Sequence, residues 1–142
     1  MGVSTPGPAR FERPRTALRV LLAIAMMVVG VLHFTAPAGF VRIVPAWLPT
    51  PLALVYVSGV FEILGGAGLL VPRARRAASL GLVALYVAVF PANVNMALHH
   101  LSLDGVTQVP APLLWLRLPF QALFIAWALW VGRVRRAGRG PR

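Results

Sequence analysis

Residues 51–71 read PLALVYVSGVFEILGGAGLLV, an apolar run bounded by prolines and broken by one charge, Glu62, near its middle. An α-helix of about 20 residues, rising 1.5 Å per residue, crosses a hydrocarbon core about 30 Å thick. The run lacks the apolar/polar alternation of a barrel strand, and a continuous apolar segment in lipid satisfies its backbone polar groups as a helix. Residues 51–71 therefore read as a membrane span.

Three more runs of this kind flank it, at about 17–35, 77–98 and 113–132. The expected fold class is all-α, a four-transmembrane-helix bundle occupying residues 17–132. Residues 1–16, rich in Pro, Gly and Arg, read as a disordered cytoplasmic leader. Residues 133–142 read as a basic cytoplasmic tail. The connection at 36–50 holds Pro37, Pro45 and Pro49 but is too apolar for a solvated linker. Phe40, Ile43, Val44 and Trp47 recur there at helical spacing, which predicts an interfacial or re-entrant segment between the first two spans.

Composition agrees. The chain is 58% hydrophobic and 12% charged, against roughly 45–50% and 25% in soluble domains. The net charge of +11 comes from fourteen basic residues that are all Arg. Most lie beside the apolar runs, where orientation signals lie, so nucleic acid is not the expected partner. Arg10, Arg13, Arg15 and Arg19 precede or open the first span, and Arg42 stands alone in the first connection. Arg73, Arg75 and Arg76 fill the second connection, the third has none, and five more Arg follow the last span. This alternation predicts a multi-pass membrane protein with both termini cytoplasmic. Ala36-Pro37-Ala38 imitates a signal-cleavage site, but the preceding apolar run exceeds the 7–15 residues of a signal core.

Cysteine is absent, which excludes disulfide relays and thiolate-bound metals. No nucleophile-base-orienter set and no phosphate-binding loop is visible, and no His or carboxylate pair stands at i, i+4 to hold a metal. No catalytic residue is expected, and the chain does not read as an enzyme on its own.

The informative residues are polar ones at membrane depth. A charged Glu62 in mid-span costs several kcal/mol by insertion scales unless it faces the bundle interior. Ser58, Gly59, Gly65 and Gly66 around it permit close helix contact. Arg117 and Gln121, four residues apart, share a face of the fourth span. Helix rise places Arg117 roughly 6 Å and Glu62 roughly 15 Å below the outer surface, so a Glu62–Arg117 pair is expected to span the gap through long side chains or Gln121. Asn93 follows Pro91 in the third span, and His33 ends the first. The expectation is a polar cluster of Glu62, Arg117, Gln121, Asn93 and His33 around a ligand cavity in the outer half. The rival use of the same residues is to fix helix register. A fainter pattern repeats Leu32-His33 and Val41–Ala46 as Leu98-His99 and Val106–Ala111, which predicts two helix hairpins of like orientation.

Several motifs together resemble the DoxX-like family of small four-helix bacterial membrane proteins, over about residues 18–132. They are Gly30-Val31-Leu32-His33-Phe34 with Pro37, Phe40 and Ile43-Val44-Pro45, and Ser58-Gly59-Val60-Phe61-Glu62 with Gly65 and Gly68. Phe90-Pro91-Ala92-Asn93 with Met96, and Arg117-Leu118-Pro119-Phe120-Gln121, complete the set. The resemblance implies an inner-membrane bundle and a redox-linked accessory role, since some relatives are named as subunits of a thiosulfate:quinone oxidoreductase. A quinone is then the expected cofactor or ligand. Membrane lipids, an oxidoreductase or other membrane protein, and further copies of the chain are the partners to consider.

Overall fold

The computed structural model describes residues 12–133. The expectations for residues 1–11 and 134–142 lie outside them. Five helices follow in order: α1 (Glu12–Thr35), α2 (Pro37–Ile43), α3 (Pro51–Leu70), α4 (Arg75–Leu98) and α5 (Ala111–Gly132). Among the described residues there is no strand, and α1, α3, α4 and α5 are each long and apolar enough to cross a membrane. The protein is an all-α membrane bundle of four spanning helices with a short helix between the first two.

Each long helix runs antiparallel to its neighbours. Gly30 of α1 meets Gly59 and Glu62 of α3, whereas Ala23 and Met27, nearer the start of α1, meet Gly66. A methyl group on Gly30 would lie 2.8 Å from the Gly59 carbonyl oxygen, and one on Gly59 would lie 2.9 Å from the Gly30 carbonyl oxygen. The two backbones approach so closely that only hydrogen fits, the packing mode available when lipid tails are as apolar as the side chains. The α3 to α4 contact follows the same sense, with Gly65 against Leu82 and Gly68 against Ala78. In the α4 to α5 contact, Ser79 donates through Oγ to the Ala128 carbonyl at 2.7 Å. The hairpins α1–α3 and α4–α5 thus have like orientation, joined at the same end. Their connections differ in form: the first contains α2, and the second, residues 99–110, is irregular.

The described part of α1 begins at Glu12, about five residues before the apolar run. What holds these residues lies in α5. Arg15 donates through Nε to the Trp130 carbonyl at 3.1 Å and through its terminal nitrogen to that of Arg133, and Arg19 donates to the Val131 carbonyl at 3.1 Å. Across the same end, Arg75 donates to the Leu69 carbonyl of α3 at 3.1 Å. Neither α3 nor α5 has a basic residue in its own last turn. Cations from neighbouring elements therefore serve the orphan carbonyls and the negative dipole ends.

The core is split. Leu22, Ala23, Met26, Leu69, Leu82, Tyr86, Ala128 and Val131 close the Arg-bearing half. Ile43, Met96, Ala97 and Leu114 form a second cluster under α2 at the opposite end. Between them the helices part.

Helix α2 confirms a short segment over the bundle end but is smaller than the spacing of its apolar residues suggests. It stops at Ile43, ahead of Pro45, and Trp47 lies beyond it with 72% of its surface exposed. Arg42 donates to the carbonyls of Ser102 and Leu103 at 3.2 and 3.1 Å, and Gly39 packs against the Leu103 carbonyl. The two connections at this end thus brace each other. Asn95 adds a bond from α4, through Nδ2 to the Ile43 carbonyl at 3.0 Å.

Candidate functional site

Where the helices part there is a cavity of about 950 Å³, lined from all four spans, roofed by Phe40 and Ile43 of α2 and by Leu103, and partly open to the outside. Its lining is mainly apolar. His33, Glu62, Asn93, Arg117 and Gln121 all contribute to it, so the cluster expected from sequence does line a single space. The rim carries exposed apolar side chains, Val57 and Phe61 from α3 and Leu113 and Phe120 from α5. In a bundle surrounded by lipid, such a rim admits molecules from the side.

Helix α3 presents Glu62 here because Gly59 and Gly66 lie one turn to either side and pull α3 against α1. Facing it on α1 is His33, whose Nδ1 stands 3.2 Å from Glu62 Oε2, with both side chains largely buried. The same Nδ1 is 2.8 Å from the Val29 carbonyl. A carbonyl can only accept, so Nδ1 carries a proton and directs it to Val29. Glu62 Oε2 consequently has no hydrogen-bond partner among the described residues. The ion-pair distance holds, but the hydrogen bond is not made. On its other side the imidazole stacks on Phe40, with centroids 3.8 Å apart and planes 22° apart, which places α2 directly over the carboxylate.

The expected Glu62–Arg117 pair is not present. Within 4 Å the acidic group has His33, not Arg117. Arg117 lies on the cavity wall, exposed, without a hydrogen bond or ion pair to the described residues. Its depth explains this: the second turn of α5 lies too near the α2 end of the bundle for its guanidinium to span the difference to mid-span Glu62.

Gln121 and Asn93 have a more structural part than expected. Asn93 donates through Nδ2 to Gln121 Oε1 at 2.9 Å, and Gln121 donates through Nε2 to the Tyr86 carbonyl. Both amide ends of Gln121 are thus engaged in pinning α5 to α4, at 7% exposure. The groups left with unused capacity toward the cavity are the Glu62 carboxylate, the Arg117 guanidinium and the Asn93 carbonyl.

Two contributors escape a reading of the sequence. Tyr86 lines the cavity and donates to Met26 Sδ at 3.0 Å. An aromatic residue inside an apolar run carries no signal that distinguishes it from core packing. Phe40 belongs to the predicted interfacial segment, but its stacking on His33 depends on the turn at Ala36, which spacing alone does not specify.

The ensemble is a half-open apolar chamber with an acceptor at its deep end, a cation nearer its mouth and an aromatic roof. It can hold a molecule that is largely apolar with a small polar end. Among curated proteins and among solved structures, no match to the chain was found. A family model does match residues 22–132, and on that match the chain belongs to the family described as domain of unknown function DUF8561.

Proposed function

We propose that the protein is a membrane-embedded binding subunit that takes a small amphipathic ligand from the bilayer into the chamber around Glu62. The observation that carries this is the Glu62 carboxylate, which lines a cavity of about 950 Å³ and whose Oε2, closed off beside His33, has no hydrogen-bond partner among the described residues. A helix-register device has its polar atoms satisfied within the bundle, as Gln121 does. A carboxylate left open toward a chamber is a group kept for something that enters. Arg117 is the second open group.

The DoxX-like motifs add a direction: accessory work beside an oxidoreductase, and the bacterial inner membrane as location. The Arg-bearing end, with Arg15, Arg19, Arg75 and Arg133, faces the cytoplasm on the charge rule, and α2 and the chamber mouth lie at the outer side. Because the chain has no cysteine, single cysteines report this directly. Thr107→Cys is expected to react with an impermeant maleimide in intact cells, and Arg73→Cys only after lysis; the reverse pattern would invert the topology.

Native mass spectrometry of gently purified protein tests the function. A bound amphiphile in the wild type, lost in a folded Glu62→Gln variant, is the expected result. Wild type without ligand, together with a Glu62→Gln variant that fails to fold, would favour the second reading, a membrane scaffold whose polar residues hold the helices together. That reading draws on the Asn93–Gln121–Tyr86 chain of bonds, which is structural in character.

A further inference from the structure

The proposed binding role leaves the ligand's chemistry open, and two groups without a hydrogen-bond partner among the described residues narrow it. Arg117 stands exposed on the cavity wall with no acceptor among the described residues, although Asn93, Gln121 and Glu62 line the same space. A guanidinium is most strongly satisfied by an anionic oxygen pair, which it binds through two parallel N–H donors. The Glu62 carboxylate, deeper in the chamber, accepts no hydrogen bond from the described residues, and its Oε2 is closed off against His33, whose Nδ1 proton serves Val29. The side of the carboxylate that lines the chamber calls for a donor. A neutral quinone carries two acceptors and no donor, so it satisfies neither the charge of Arg117 nor the acceptor at Glu62. The rest of the wall, with Val57, Phe61, Leu113 and Phe120 at the open side, accommodates hydrocarbon.

We propose that the chamber binds an anionic amphiphile with a hydroxyl beside its anionic group. Arg117 pairs with the anion, Glu62 accepts from the hydroxyl, and the acyl chain leaves through the apolar rim toward the bilayer. A single-chain phosphoglycerol lipid has this chemistry. The inference rests on the binding role proposed above and specifies its ligand class.

The test titrates purified full-length protein in neutral detergent with lysophosphatidylglycerol, a monoacylglycerol of the same chain length and a short-chain quinone, read by native mass spectrometry. Wild type is expected to bind lysophosphatidylglycerol roughly tenfold more tightly than the monoacylglycerol, which keeps the hydroxyls and lacks the anion, the scale of one charge-assisted contact. Arg117→Gln removes that preference, Glu62→Leu weakens binding of both lipids, and Arg73→Gln, at the opposite end of the bundle, retains it. Equal binding of the two lipids by wild type overturns the proposal whether or not any variant folds, as does a preference that survives Arg117→Gln. A quinone that binds tightest and is lost in Glu62→Leu overturns the anionic ligand class and leaves the binding role standing. No retained amphiphile of any kind in folded wild type overturns both.

Discussion

His33 Nδ1 lies 3.2 Å from Glu62 Oε2 yet gives its proton to the Val29 carbonyl, so the two side chains touch without completing a hydrogen bond. Breaking a buried ion pair from one side costs about 3–5 kcal/mol when the pair is fully made. Here the contact is incomplete, and Glu62→Gln is expected to change bundle stability by less than about 1 kcal/mol. Thermal melting in detergent, or unfolding by increasing mole fraction of SDS, checks this. A loss on the order of 3 kcal/mol would show that the pair holds the helices together.

The α1–α3 seam yields a contrast between two glycines. A methyl at Gly59 meets the Gly30 carbonyl oxygen at 2.9 Å and His33 Cβ at 2.7 Å, whereas one at Gly81 meets nothing within 4 Å. Gly59→Ala is expected to destabilise by about 1–3 kcal/mol through forced separation of the helices. Gly81→Ala should instead stabilise, by about 0.5–1 kcal/mol, because alanine loses less backbone freedom in a helix. The same melting experiment measures both, and equal effects would contradict the close approach.

Arg19 is 7% exposed and donates to the Val131 carbonyl. Arg19→Met keeps the aliphatic bulk and removes the donor, and is expected to cost about 1–3 kcal/mol by stranding a buried acceptor. Arg13→Met, at a residue exposed near the start of α1, is expected to shift stability by no more than about 0.5 kcal/mol. If the two substitutions behaved alike, Arg19 would be an orientation signal only.

The loop between α4 and α5 has its own pH dependence. Asp104 accepts from the backbone N–H groups of Val106 and Thr107 at 3.1 and 3.0 Å and from the Thr107 hydroxyl. The Thr107 hydroxyl, followed by these backbone bonds, holds its carboxyl well below the ordinary value of 3.8. A depressed folded value means the stabilisation is fully present above the unfolded value and is lost as pH falls through the folded one. Protection of the Val106 and Thr107 amides, measured against the intrinsic exchange rate at each pH, should therefore be present at neutral pH and be lost only in strong acid. Asp104→Asn should bring that loss to neutral pH, and unaltered protection in that variant would remove Asp104 from the turn.

Hydropathy carried the spans to within a few residues because burial in lipid is a property of a run, summed locally along the chain. Residues 12–16 are the counterexample. Their helicity depends on Arg15 and Arg19 reaching carbonyls more than a hundred positions away, and no local pattern encodes that. The polar cluster was legible as membership and not as pairing. Glu62, His33, Asn93, Arg117 and Gln121 share a cavity since each is costly against lipid and so turns inward. Who meets whom depends on helix rotation and depth, and that set His33 beside Glu62 and bonded Asn93 to Gln121. Trp47 was read as part of an interfacial helix because its spacing fits, but Pro45 ends the helix first.

The bonds from Arg15 and Arg19 to the end of α5 also set an order of assembly. During synthesis α1 is made first, and the carbonyl that Arg19 needs lies 112 residues later. At about 5–20 residues per second, this separation corresponds to an interval on the order of 10 s. Throughout that interval α1 can already pair with α3 along the glycine seam, while its two arginines still face water or lipid headgroups. Closure of the ring therefore waits for the synthesis of α5, and a ribosome stalled before α5 leaves a bundle whose chamber has lost one wall.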